Sequence, residues 1–456
     1  MSDIDIHDDL LGCAERVLSF LKPLGVDEAD VVAARGNEFE VKVNSGKIET
    51  LTQATSKRIG LRVIVDKKQS FCTSSDFSDE SLKHLAEHVV AMARHLEADP
   101  HHGVAEAEVG RIDLGQEFEP FDQAILDIPS ADKIEWAHQM EAAARAVSPN
   151  IKKFGDSGIS TGDSHSVLMT SSGVIRTASG TGISAWCNPI AEKDGELQTE
   201  FWYDSKTHLE DLEDVHLIGT KAGERASRML GAKAISTQSL PIIFEPPIAL
   251  GFFGGIIGAI DGDLIFKGAS FLNNRLNTQI ASDQITLTDD PFINRGSSSS
   301  LFDGEGIPAS KKHLLNKGVL TTYLYDSYTA RKAGTQSTGN GQRGSGSLPH
   351  IGTFNVHLSA GDTPEQSLLR DCPKALLITR GLGRGVNAIT GEYSRGVNGL
   401  LLEHGEIVQA VQEVTIAGDM IDMMKRVGAV GDTVHFRGSS GAPFVLIDDI
   451  MVSGSS

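Results

Sequence analysis

The most definite chemistry offered by spacing alone lies at His84 to His88, which spell H-x-x-E-H. Imidazoles four apart on a helix share one strip, so His84 and His88 could reach one metal ion while Glu87 activates a water beside them. His95 continues that strip. The strip borders the apolar stripe Leu82, Leu85, Val89, Met92 and Leu96, where polar residues ordinarily flank a core, so a solvated helix flank accounts for the same letters. A stand-alone zinc hydrolase using His84, Glu87 and His88 is the alternative reading rather than the leading one. The acid pairs Asp289-Asp290 and Asp448-Asp449 could hold a hard cation, but neighbours in a strand point to opposite faces. Serine-rich loops at Gly296 and Gly438 lack the G-x-S-x-G elbow of a nucleophilic serine.

A second candidate is Arg380 to Gly418, in which Gly381, Gly383, Gly385, Gly391, Gly396 and Gly399 are too frequent for a helix. Glycines after the strand-like Ala375 to Thr379 suggest a phosphate cradle, yet that device needs a helix to follow. A hairpin follows instead, with His404-Gly405 as its two-residue turn. The loop before it presents Asn387, Thr390, Glu392, Tyr393, Ser394 and Arg395 from the mouth of a sheet.

These residues need elements to place them. Apolar periodicity predicts a helix over 8–21 stopped by Pro23, and strands with a turn at Asn44 to Gly46. A helix capped by Ser78 runs to about Glu97, and others cover 131–147 and 212–230. Between the last two lies a β-rich stretch that turns at Ser172-Gly173 and carries Phe201, Trp202 and Tyr203 as anchors. After the strand at 240–244, Gly251, Gly255, Gly258 and Gly262 would leave one side of a helix bare, so that a neighbouring backbone could approach. Glycine- and serine-rich loops at 295–306 and 335–348 separate further strands. The expected class is α+β, with N-terminal helices and small antiparallel sheets and a β-rich C-terminal domain. Its expected divisions are 1–110, 111–232 and 233–456.

Acids outnumber bases 61 to 41, giving a formal charge of -20, so the phosphate attraction behind direct nucleic-acid binding is missing. Cys13, Cys72, Cys187 and Cys372 are scattered without a C-x-x-C pair, which fits reduced thiols in a cytoplasm. The acidic start lacks a secretory pattern, and the run from Pro246 to Ile260 is shorter than the ~20 residues that span a bilayer. A soluble cytoplasmic protein without membrane contact is expected.

The words GRGVNAITGEYSRGVNGLLLEHGEI and VTIAGDM, with Ser337 to Asn340 upstream and Gly438 to Pro443 near the end, resemble the C-terminal domain of the PmbA/TldD family, also called modulators of DNA gyrase. The catalytic branch of that family carries HExxxH at the start of this domain and a later cysteine as a further ligand. Aligning Asp261-Gly262-Asp263 with the acids after that word places Phe253, Gly254 and Gly258 where its two histidines and glutamate would stand. The terminal segment offers Ser439 and Ser440 but no cysteine. The chain thus resembles the PmbA (TldE) branch, which implies no catalytic residue and no metal or other cofactor of its own. Zinc or a similar metal is expected in a TldD-like partner forming a heterodimer, a homodimeric peptide-binding scaffold being the other possibility. The implied substrate is an unfolded peptide, in microcin-type maturation or antitoxin turnover, and Asn340, Asn387, Thr390 and Ser394 are the expected hydrogen-bonding contacts to its backbone.

Overall fold

A computed structural model of the chain describes residues 3–113, 118–383 and 385–454, so Arg384 of the glycine run lies outside the described residues. Helix α1 (Asp3–Leu21) buries Leu10, Ala14, Val17 and Leu21 and stops at a short turn containing Pro23. Strands β1 (Glu28–Asn44) and β2 (Lys47–Val65) form a long hairpin about Ser45 and Gly46, which take φ of 53° and 80° as a tight turn requires. They are followed by β3 (Lys68–Ser74), by α2 (Asp79–His95), whose N-terminal Ser78 side chain accepts from the Ser81 amide, and by β4 (Gly110–Asp113). The short α3 (Gln123–Asp127) and α4 (Ser130–Val147) lead into a second long hairpin, β5 (Ile151–Thr170) and β6 (Val174–Lys193). Strands β7 (Glu196–Thr199) and β8 (Trp202–Lys206) fold back on β6 before α5 (Val215–Arg228).

Because β1 pairs with β5 from Asp30↔Thr170 to Val43↔Ser157, all of these strands form one eight-stranded sheet in the order β3-β2-β1-β5-β6-β4, with β7 and β8 also on β6. Two separate cores cover its two ends. Helices α1 and α2 close over Val31, Leu61 and Val167, while α4 and α5 close over Val41, Ile159 and Ala185. The second pair packs tightly because Gly219 and Gly223 of α5 lie directly on the α4 backbone, where an added Cβ would meet the Met140 carbonyl at 2.2 Å.

The C-terminal part begins with β9 (Gln238–Phe244) and α6 (Pro246–Ala259). Pro246 and Pro247 occupy the first helical turn, where a missing N–H costs nothing, so the prolines start this helix rather than break it. The elements α7 (Gly262–Phe266), β10 (Leu287–Asp290), β11 (Lys312–Asn316), β12 (Val319–Leu320), α8 (Ser327–Ala333), β13 (Gly341–Gln342), β14 (His350–Ile351) and β15 (Asn355–Leu358) follow. Then come α9 (Glu365–Arg370), β16 (Lys374–Leu382), β17 (Glu392–Glu403), β18 (Glu406–Asp419), α10 (Met420–Lys425), β19 (Val427–Val430), β20 (His435–Arg437), β21 (Ser440–Ala442) and β22 (Val445–Gly454). They build two six-stranded sheets, β18-β17-β16-β9-β22-β19 and β12-β11-β10-β15-β21-β20, and the two-stranded β13-β14. The first closes on itself through β18–β22. Apolar residues of both sheets and of α6 form one core that includes Phe244, Phe252, Phe253, Leu315, Leu358 and Ile447. The α+β class with a β-rich C-terminal part is what the structure has.

The two parts are tied by buried charge. Asp30 of β1 accepts from Arg62 Nε at 2.9 Å and from Arg343 Nη1 at 2.6 Å. Arg343 comes from the 335–348 loop, which lies so close to β2 that a Cβ on Gly60 would sit 2.3 Å from the Ser345 carbonyl. Burial pushes the Asp30 carboxyl up, but Arg343 and Arg62 outweigh it and hold it below the ordinary carboxylate range.

Candidate functional site

Helix α6 is the element on which the candidate site is built. Phe253 is 1% exposed and makes an edge-to-face contact with Phe252 at 5.1 Å between centroids. Beside it Gly254 borders a cavity of about 90 Å3, shared with Leu250, Ile257, Thr353 and Ser440. This joins the α6 positions to the terminal serine segment that the sequence set beside them. Among the described residues, the side-chain heteroatoms lining this cavity are the Thr353 and Ser440 hydroxyls. A phenyl ring, glycines and two neutral hydroxyls are not a donor set for zinc, which takes thiolate, imidazole or carboxylate. The residues here do not fit a metal.

The bare side of α6 receives side chains rather than the expected backbone, which comes close instead at Gly262 of α7, where an added Cβ would meet the Leu324 carbonyl at 2.7 Å. An added Cβ at Gly255 would meet Val386 Cγ1 at 2.5 Å, and at Gly251 it would meet Arg395 Nη1 at 3.2 Å. At Gly254 and Gly258 nothing lies within 4 Å. The loop before β17 is seated on this face by Val386 and by Tyr393, which is 2% exposed and packs edge-on to Phe252 at 5.1 Å. Burial pushes the Tyr393 phenol up, with Arg395 pulling the other way.

On that footing Asn387, Thr390 and Ser394 are all exposed. The Asn387 carboxamide oxygen accepts from the Ile389 amide at 2.9 Å, and Thr390 Oγ1 accepts from the Glu392 amide at 3.3 Å. These bonds brace the loop and leave further polar capacity turned to solvent. Asn340 is placed elsewhere. It is fully buried, donating to Asp289 Oδ2 at 2.9 Å and the Gly352 carbonyl at 2.8 Å, and accepting from Thr338 at 2.8 Å and Lys312 Nζ at 3.0 Å. With every hydrogen-bonding position engaged it has none to offer a peptide, which corrects its assignment as a contact residue. Asp289 and Asp290 do diverge, the first toward Asn340 and the Phe354 amide, the second toward Lys311 at 2.7 Å.

His84, Glu87 and His88 lie exposed on α2, with Glu87 4.0 Å from Lys83. Among the described residues no group of three or more His, Cys, Asp or Glu side chains is placed to hold a metal ion. A Ser-His-Asp succession does occur in the central sheet, Ser179 Oγ to His165 Nδ1 at 3.2 Å and His165 Nε2 to Asp163 Oδ2 at 3.1 Å. His165 is 2% exposed, packed against Phe121 and His7, so the set is an internal polar bridge between β5 and β6.

Sequence reasoning missed a larger feature at the other end of α6. A cavity of about 390 Å3 opens between Pro247 and Ile248 of the helix, the end of β16 and the Phe201-Trp202-Tyr203 triplet, and four arginines line it: Arg225, Arg380, Arg395 and Arg437. Arg225 is bound structurally, 2.8 Å from Glu245 and 3.6 Å from Glu200, and it donates to the Thr379 carbonyl at 2.9 Å. Arg437 stacks over Trp202 at 3.6 Å. The aromatic triplet was the available signal. The arginines are too dispersed in sequence to have pointed to one another.

Family models for the PmbA/TldA metallopeptidase match domain 1 at residues 29–93, the central domain at 124–230 and the C-terminal domain at 237–454. The chain belongs to the PmbA/TldA metallopeptidase family. It is 28% identical to metalloprotease PmbA of Escherichia coli O157:H7 over 94% of this chain and 92% of that protein. A Bacteroides thetaiotaomicron structure designated a modulator of DNA gyrase superposes with a TM-score of 0.90 at 25% identity, covering 98% of this chain and 99% of the other. TldE from Thermococcus kodakarensis shares the PmbA/TldA fold, with a TM-score of 0.88 at 21% identity over 97% and 100% of the two chains. No helix among the described residues of this family member is long and apolar enough to cross a membrane.

Proposed function

We propose that this chain is the metal-free subunit of a TldD/TldE-type metalloprotease, working with a HExxxH-bearing partner that supplies the metal. The observation that supports the reading is the chemistry of the α6 cavity, whose lining, with Phe253, Gly254 and Ser440 in it, offers no thiolate, imidazole or carboxylate. The contribution of this chain is to hold an unfolded peptide while the partner cuts it. The Asn387 to Gly391 turn and the start of β17, set firmly on α6 by Val386 and Tyr393, turn Asn387, Thr390 and Ser394 outward, where they can meet peptide backbone. Microcin-type precursors and antitoxins are the substrate classes this reading proposes.

A peptide-cleavage assay with and without the HExxxH partner tests it. The chain alone is expected to be inactive with added zinc, and the pair active. Replacing Thr390 and Ser394 together by alanine should slow turnover by the pair without lowering the melting temperature. Zinc-dependent cleavage by the chain alone would overturn the assignment.

A further inference from the structure

We propose that the arginine-lined cavity at the N-terminal end of α6 is a receptor for a peptide carboxylate, and that it makes this subunit select extended peptides by a free C-terminus or an acidic side chain. The inference rests on the peptide-holding reading above and adds the chemistry of what is held. Among the described residues lining the cavity there is no aspartate or glutamate, although the chain as a whole carries 61 acids against 41 bases. Arg225 has its own acids, but Arg380, Arg395 and Arg437 form no ion pair among the described residues. Arg380 donates to the Thr199 carbonyl at 2.5 Å and Arg437 to the Tyr203 carbonyl at 3.0 Å, and neither contact neutralises a charge. Arg395 lies against the Tyr393 phenol rather than a carboxylate, and the Thr379 hydroxyl, which lines the same cavity on a residue only 5% exposed, has no hydrogen-bond partner. Three guanidinium groups outside any direct ion pair among the described residues, with Glu200 acting on Arg380 and Asp204 and Glu213 acting on Arg437 at longer range, join an unpartnered hydroxyl around one space that can take an anion, and the planar fork of arginine suits a carboxylate.

The walls point to a peptide as the bearer of that anion. Strand β16 pairs with β9 only at 376–378, since β9 ends at Phe244 and the chain turns into α6. Beyond that point Arg380 to Leu382 still pair with β17 on one side, while the other side, facing the cavity, carries no strand among the described residues. A segment of extended backbone could add there and reach the arginines with its terminal group. Phe201, 47% exposed, and Leu382, 44% exposed, give apolar side chains a place to rest.

The test uses the intact chain and an N-terminally labelled decapeptide of Gly, Ser, Thr and Val in three forms: free acid, C-terminal amide, and amide with one internal glutamate. Binding is read by fluorescence anisotropy, with inorganic phosphate as a competitor. The free acid or the glutamate form is expected to bind at least about tenfold more tightly than the plain amide, and which of the two does so separates terminal from side-chain recognition. Arg395→Gln and Arg380→Gln should each bring the ratio of acid to amide affinity close to one, whatever either does to amide binding itself, with Arg395→Lys retaining part of the preference. Equal binding of all three peptides, or a preference that survives both glutamine variants, overturns the carboxylate receptor and leaves the peptide-holding reading standing. If no peptide binds while phosphate quenches Trp202, both readings fall and the cavity is a phosphate site.

Discussion

Helix α6 touches two cavities of opposite character. Midway along it, Phe253 and Gly254 border a small space walled by aliphatic groups and two hydroxyls, whereas at its start Pro247 and Ile248 border a larger one walled by guanidinium groups. The same helix therefore presents no metal-binding side chain at Phe253 and Gly254, and concentrated charge about two turns earlier. The contrast teaches that a helix without ligating side chains along one stretch can still border concentrated charge at another.

The largest effects should come from removing what supports each cavity. Phe253→Ala would empty a fully buried position and Arg225→Met would strand the buried Glu200, each costing about 3–5 kcal/mol. Urea denaturation checks both, and a small loss at Arg225 would mean that its acids are better served by Arg228 than the geometry indicates. The glycines of α6 should then divide by neighbourhood. Gly255→Ala must displace Val386 and should cost about 1–3 kcal/mol, while Gly254→Ala faces open space and should stabilise the helix by about 1 kcal/mol. If both destabilise equally, the smaller cavity is not the open space described.

A pH series sharpens the charged side of the contrast. Burial pushes the Glu200 carboxyl above its ordinary value, with Arg225 pulling it down. A carboxyl raised on folding contributes stability while protonated, and that contribution is lost as pH rises from the ordinary glutamate value through the folded one. Glu200→Gln should therefore melt above the unaltered protein at pH 8 and converge with it near about pH 4, where both side chains are neutral. The smallest effect is expected at His88→Ala, within about 0.5 kcal/mol and with no change in zinc content by metal analysis, because this histidine sits exposed on α2.

Much of the local structure was legible from short-range signals. The turns at Ser45-Gly46 and His404-Gly405 take the positive φ their sequences imply, and Ser78 caps α2 as its type suggests. What could not be read was non-local. Nothing in 28–44 or 151–170 announces that these strands pair and merge two groups of strands into one sheet. Asn340 looked like a loop residue free to bind because glycine and serine surround it, yet it closes a buried network with Asp289 and Lys312. The charged cavity draws on β8, α5, β16, β17 and β20, so no window of sequence contains it.

The Arg343 contact with Asp30 also bears on how such a chain can be divided. A fragment that stopped short of Arg343 would keep Arg62 beside Asp30 but lose the second cation, leaving an interior carboxylate half answered and the Gly60 surface bare. The three family segments are thus poor candidates for separate expression. A truncation that looks clean along the sequence would be felt first in the opening hairpin, some three hundred positions upstream of the cut.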